Sequence, residues 1–154
     1  MRYTIHLKIS AAHKKLLPPA LLRRTARAAL THQNAPVPST LTIVITDDEA
    51  LRELNRHYLG HDYATDVLSF PASEIDLETG ATYLGDIALS VPRAQAQARK
   101  AGHPLTAEVQ LLVVHGVLHL LGHDHATRQE KARMWKAQRE ILEGLKEGEV
   151  KSKQ

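Results

Sequence analysis

Cysteine is absent from the 154 residues. That absence excludes disulfides, thiolate zinc sites, iron–sulfur clusters and cysteine nucleophiles together. It fits a reducing compartment. Aromatic residues are scarce, at 4%, so aliphatic side chains must fill the core. Long apolar runs are missing as well. The longest, residues 109–121, falls short of the roughly 20 residues that span a bilayer, and histidines interrupt it. Acidic residues are missing from the first 46 positions, which hold seven basic ones: Arg2, Lys8, Lys14, Lys15, Arg23, Arg24 and Arg27. The remainder carries the other 13 basic and all 17 acidic residues. A basic first third predicts a surface that faces a polyanion; the plainer alternative is a solvated face. A transit peptide would share this composition, but the alternation over residues 3–9 reads as a strand.

What is present fits one folded domain. Apolar residues make up 43% and charged residues 24%, with a net charge of +3, as in ordinary soluble proteins. Residues 3–9 alternate as a half-buried strand. Pro18 and Pro19 open a helix whose stripe is Leu21, Leu22, Ala26, Ala29 and Leu30, running to His32. Residues 41–45 are β-branched and predict a second strand. Asp47 caps a helix holding Leu51, Leu54 and Tyr58, which Gly60 ends. Residues 67–70 predict a short strand stopped by Pro71, residues 74–82 a polar turn, and residues 84–89 a further strand. Ser90 and Pro92 start a helix to Lys100. Thr106 starts the next, which runs to Leu121. It is apolar on nearly every face and therefore belongs at the centre of the domain. Thr127 starts a last amphipathic helix with Met134, Trp135, Ile141 and Leu142. From Gly144 the composition predicts a frayed tail over residues 145–154. The expected fold is α+β: a single mixed sheet of about four strands covered by about five helices, all in one domain over residues 1–154.

Ten histidines is a high count for this length, and four of them fall within residues 115–125. His115 and His119 are four apart, so a helix places them on one face, roughly 6 Å apart along the axis. That spacing suits two imidazoles on one zinc ion. Gly122 permits a sharp turn, after which a third histidine returns to complete the set. The register favours His125, with His123 as the rival. Three imidazoles and an open fourth position make a catalytic zinc site rather than a closed structural one. The spacing equals that of the metzincin proteases, but their general-base Glu is replaced by Gly116, so a peptidase of that class lacks its base.

The string His115-Gly-Val-Leu-His119-Leu-Leu-Gly122-His-Asp124-His125 resembles the signature of the YbeY family, single-domain bacterial endoribonucleases and rRNA maturation factors. Leu54-Asn55, Tyr58 and the run from Thr65 to Pro71 form a second similar block, and Leu84-Gly85-Asp86-Ile87 a third. The resemblance implies one zinc per chain held by His115, His119 and His125. It implies single-strand-specific RNA cleavage in 16S rRNA 3′ end maturation and ribosome quality control, with RNA and the small ribosomal subunit as partners. A cytoplasmic location, no membrane partner and a monomer are expected with it. Asp124 is expected beside a ligand histidine, and Arg56 and Ser69 on the substrate. The chain departs from the family at Leu59, where Arg is usual as a phosphate clamp. Arg56, His57 and His61 lie near enough in sequence to substitute, and a surface helix explains them equally well. Two other readings stay open: a zinc hydrolase of another class, peptidase-like, and a non-catalytic ribosome-associated factor with a structural zinc.

Overall fold

The computed structural model describes residues 3–60, 66–124 and 126–153, with side chains to residue 148. Strand β1 (Tyr3–Ile9) buries Tyr3 and Ile5 and turns Thr4, His6 and Lys8 to solvent, as its alternation requires. Strand β2 (Ser39–Thr46) buries Leu41, Ile43 and Ile45. Strands β3 (Val67–Ile75) and β4 (Thr82–Ser90) form a hairpin. The spatial order is β1-β2-β4-β3, with β1, β2 and β4 parallel and β3 antiparallel to β4. The mixed α+β sheet expected from the sequence is therefore what forms.

Five α-helices cover it: α1 (Pro19–His32), α2 (Asp48–Leu59), α3 (Val91–Ala101), α4 (Leu105–Leu120) and α5 (Arg128–Lys153). Each start has a local cause. Pro19 occupies the first turn of α1, where a missing N–H costs nothing. The Asp47 carboxylate accepts from the Ala50 N–H at 2.9 Å, and Gly60 closes α2 in the left-handed conformation. Ser90 accepts from the Arg93 N–H to cap α3. Helix α4 begins one residue earlier than Thr106 predicts, after Pro104 and without a side-chain cap. Glu108, almost fully buried in its first turn, reaches His103 Nε2 at 2.7 Å instead.

The main core joins α1, α4 and α5 to the β1, β2 and β4 side chains Ile5, Ile43 and Ile87. Helix α4 is its centre, burying Val109, Val113, Val114, Val117 and Leu118. On the opposite face α2 makes a smaller cluster, in which Leu51 meets Leu68 and Ala88. Among the described residues no helix is long and apolar enough to cross a membrane.

Two boundaries differ from the sequence reading. Strand β3 does not stop at Pro71 but continues to Ile75. It lies at the sheet's edge, where a residue without an N–H breaks no ladder. The register shifts between Pro71 and Glu74. Helix α5 continues past Gly144 because Leu145 is an apolar anchor, 7% exposed.

Two of the N-terminal basic residues have a structural task. Arg23 Nε donates to the Ile5 carbonyl at 3.3 Å and Arg27 Nε to the Tyr3 carbonyl at 3.2 Å. Both carbonyls belong to β1, the other edge strand, so α1 covers that edge with guanidinium groups. Arg24 is exposed. Replacing Arg23 and Arg27 together by Gln should lower stability by roughly 1–3 kcal/mol, the worth of charge-assisted hydrogen bonds. Urea unfolding measures it, and an unchanged midpoint would return both residues to the solvated surface.

Candidate metal centre

Helix α4 is fixed at its C-terminal end, where His115 and His119 sit. The His123 N–H bonds to the Leu118 carbonyl at 3.0 Å and the Gly122 N–H to the His119 carbonyl at 3.1 Å. This is a Schellman closure, and it requires the positive φ of 96° found at Gly122. The helix also lies close to the sheet. A Cβ on Gly116 would come within 2.8 Å of Ile87 Cγ2. Ser69 on β3 donates its hydroxyl to the Gly116 carbonyl at 3.3 Å.

The two half-buried imidazoles then converge. His115 Nε2 and His119 Nε2 are 3.1 Å apart, with ring centroids at 4.6 Å. Two nitrogens bound to one tetrahedral zinc at ~2.0–2.1 Å lie about 3.3 Å apart, so the pair fits a shared ion. The far side of the first ring is also engaged: His115 Nδ1 is 3.3 Å from Gln138 Oε1 on α5. An amide oxygen can only accept, so Nδ1 carries the proton and the Nε2 lone pair faces His119. This is how metal-binding histidines are ordinarily oriented. Among the described residues no third His, Asp or Glu joins the pair. His125 lies outside them, as do His61 and Thr65.

His123, the rival third ligand, turns Nε2 to Gln33 Oε1 at 2.6 Å. Gln33 Nε2 donates to His32 Nδ1 at 2.9 Å, and His32 Nε2 meets Glu140 Oε2 at 3.0 Å. The chain ties the turn after α4 to α1 and α5. Burial holds the His123 imidazole below its ordinary pKa, with Arg133 and His32 adding repulsion. The hydrogen bond from His32 lowers that of Glu140.

The remaining predicted residues are spread out. Asp124 is exposed and lines a cavity of ≈ 690 Å³ with His123, Thr127, Arg128 and Arg133. Ser69 serves the β3–α4 contact. Arg56 forms a two-oxygen ion pair with Glu53 at 2.8 Å on the exposed face of α2. Leu59, at the family's usual Arg position, is 48% exposed. Asp66 accepts from the Val67 N–H and from Gln97, so it secures the start of β3. Asp86 accepts from the Tyr83 hydroxyl, which also meets Thr42. Burial and the Asp86 hydrogen bond raise the Tyr83 pKa. Sequence reasoning missed Gln138 altogether. Its signal was a polar side chain beside Met134, Ala137 and Ile141 on the inward stripe of α5.

A mixed four-stranded sheet backed by a central helix with two converging imidazoles defines an α+β domain built around a histidine site. The family model "Endoribonuclease YbeY" matches residues 8–146. The chain belongs to the YbeY family. It is 43% identical over 136 residues to the Endoribonuclease YbeY of Solibacter usitatus, spanning 82% of this chain and 86% of the relative. It is 38% identical over 133 residues to that of Bacillus cereus, spanning 82% and 85%. The solution structure of a Thermotoga maritima protein superposes with a TM-score of 0.63 at 24% identity, covering 98% of this chain and 93% of that one. That likeness speaks to the fold.

Proposed function

We propose that this chain is a zinc-dependent, single-strand-specific endoribonuclease that matures the 3′ end of 16S rRNA and takes part in ribosome quality control. It works as a cytoplasmic monomer on the small ribosomal subunit, with one zinc held by His115, His119 and His125. The observation that carries this reading is the 3.1 Å approach of the two Nε2 atoms, with His115 Nδ1 held by Gln138. Membership in a family whose curated relatives are named endoribonucleases supplies the reaction class. The engagement of His123 with Gln33 supports His125 as the third ligand.

Held by these residues, a zinc ion would supply Lewis-acid chemistry for the phosphodiester. The chain's own residues set the geometry. Gln138 fixes the tautomer and ring plane of His115. The closure at Gly122 ends α4 sharply, one turn beyond His119. The Ser69 bond to the Gly116 carbonyl holds the helix against β3. Position 116, where the peptidase motif carries its base, faces Ile87 on the sheet, so no base can stand beside the metal from there, which favours phosphodiester over peptide chemistry.

The experiment is metal analysis of protein purified without chelator or nickel resin, followed by cleavage of a single-stranded RNA with and without the metal. One zinc per chain and cleavage that needs it are expected. Metal-free protein that cleaves at the same rate would overturn the reading. A 2′,3′-cyclic phosphate on the products would assign the nucleophile to the ribose hydroxyl, and its absence to water.

A further inference from the structure

We propose that the exposed flank of α5 beside His115 is the platform for the single-stranded RNA, with the Trp135 indole stacking on a base. The proposal rests on the RNA reading above and adds the residue that would recognise an unpaired strand.

Four cations, Arg128, Lys131, Arg139 and Lys146, are exposed along one flank of α5, at helical spacings that place them in a single stripe. Trp135 sits among them. It is 55% exposed, although a residue this apolar is normally covered. Lys131 Nζ lies 4.6 Å from its ring centroid, so a cation already rests on the indole. Beside it Trp135, Gln138, Arg139, Leu142 and Lys146 line a groove of ≈ 410 Å³, in which Glu143 is the one acid.

The groove is joined to the histidine pair through one residue. Gln138 lines it and also contacts His115 Nδ1 at 3.3 Å. A strand laid along α5 would therefore run past the Gln138 side of His115 while one of its bases reaches Trp135. Cations that follow a backbone, with an aromatic face for bases, are the means by which proteins hold single strands without reading sequence. A duplex buries its base faces in its own stack and has none to offer Trp135, so the platform selects unpaired RNA. The N-terminal arginines suit this task less, since Arg23 and Arg27 are bound to β1.

Trp135 is the only tryptophan in the chain, so its emission reports the contact. The probe is a 2′-O-methyl oligouridylate of about 12 nucleotides, within the span one such surface holds. It is titrated unlabelled against tryptophan emission and dye-labelled for anisotropy. Quenching should follow the anisotropy curve, and a hairpin duplex should not quench. Trp135→Ala should weaken binding about 10-fold and Trp135→Phe much less, since any aromatic face stacks. Each of Lys131→Gln and Arg139→Gln should reduce the salt slope by about one. Circular dichroism matching the parent shows that the variants fold. Binding seen by anisotropy with no change in emission, and unaltered in Trp135→Ala, would overturn the platform and leave the flank to another partner. An oligonucleotide that does not bind at all would sink the RNA reading itself.

Discussion

Gly116→Glu should fail to fold, and for that reason should have no RNA-cleaving activity. The sequence alone points to another cause, since position 116 is where the metzincin motif carries its base. A carboxylate there would be expected beside the metal, repelling the phosphate. The structure directs the side chain elsewhere. Gly116 is buried, and a Cβ would meet Ile87 Cγ2 at 2.8 Å, with two more atoms of the same side chain at 3.2 Å. A glutamate would place its carboxylate between α4 and β4, with no partner. An unpaired buried charge costs several kcal/mol, and overpacking adds ~1–3 kcal/mol, against a total stability of about 5–15 kcal/mol. Gly116→Ala should be far milder. It adds no charge and recovers about 1 kcal/mol of helix propensity, although Ile87 is β-branched and fully buried, so its Cγ2 yields little and part of that gain is lost to overpacking. Adding Ile87→Ala to the Gly116→Ala protein should cost less than adding it to the parent, because the new methyl fills part of the space. Thermal unfolding followed by circular dichroism decides it. A Gly116→Glu protein that folds with the parent's Tm would show that the side chain escapes the helix–sheet contact.

Gly85→Ala should be the most damaging methyl group in the sheet. Gly85 has φ +134°, and its Cβ would fall 2.2 Å from the Phe70 carbonyl oxygen, 3.0 Å from Pro71 Cα and 2.9 Å from Leu120 Cδ2. Two of these obstacles are backbone and cannot rotate aside. Gly85 pairs with Pro71 just before the β3–β4 register shift, so the hairpin would have to separate there. Leu120 directly follows His119, so the same glycine lets the end of α4 rest on the sheet. A cost of about 3–5 kcal/mol is expected, at the upper end for a single substitution. Urea titration of the variant would reveal it, together with a wider His115–His119 separation in a crystal structure. A loss below about 1 kcal/mol would mean that β3 shifts readily at Pro71.

The elements were legible where local chemistry fixes them. Tyr3, Ile5 and Leu7 alternate, Asp47 and Ser90 cap, and Gly60 stops α2 in the left-handed conformation. Residues 109–121 read as a central helix because nearly every face is apolar, and α4 is central. What was not legible depends on tertiary position. Pro71 reads as a strand stop because proline lacks an N–H; only the sheet order shows that β3 is an edge, where this does not matter. The charged composition after Gly144 predicts a frayed tail, and only the packing of α5 shows that Leu145 belongs to the core. The pairing of His115 with His119 follows from a spacing of four, but Gln138 lies 23 residues away and is joined to His115 only by the packing of α5 on α4. Arg23 and Arg27 show the converse. Charge alone marks a surface for a polyanion, and the fold spends part of that charge on the carbonyls of β1.

The most direct test is to measure zinc content, fold and RNA cleavage together in His115→Ala and His119→Ala. Both side chains are only half buried, and the core side chains of α4 are their neighbours Val113, Val114, Val117 and Leu118, so the variants should keep the parent's circular dichroism. Zinc per chain should fall from one toward zero in each. Cleavage of single-stranded RNA should drop by at least about 100-fold, more than the loss of an outer-shell partner would cause. Unfolding of both variants would point to a zinc that only pins α4 to the turn. A folded, zinc-free His119→Ala protein that cleaves RNA at the parent's rate would contradict the account.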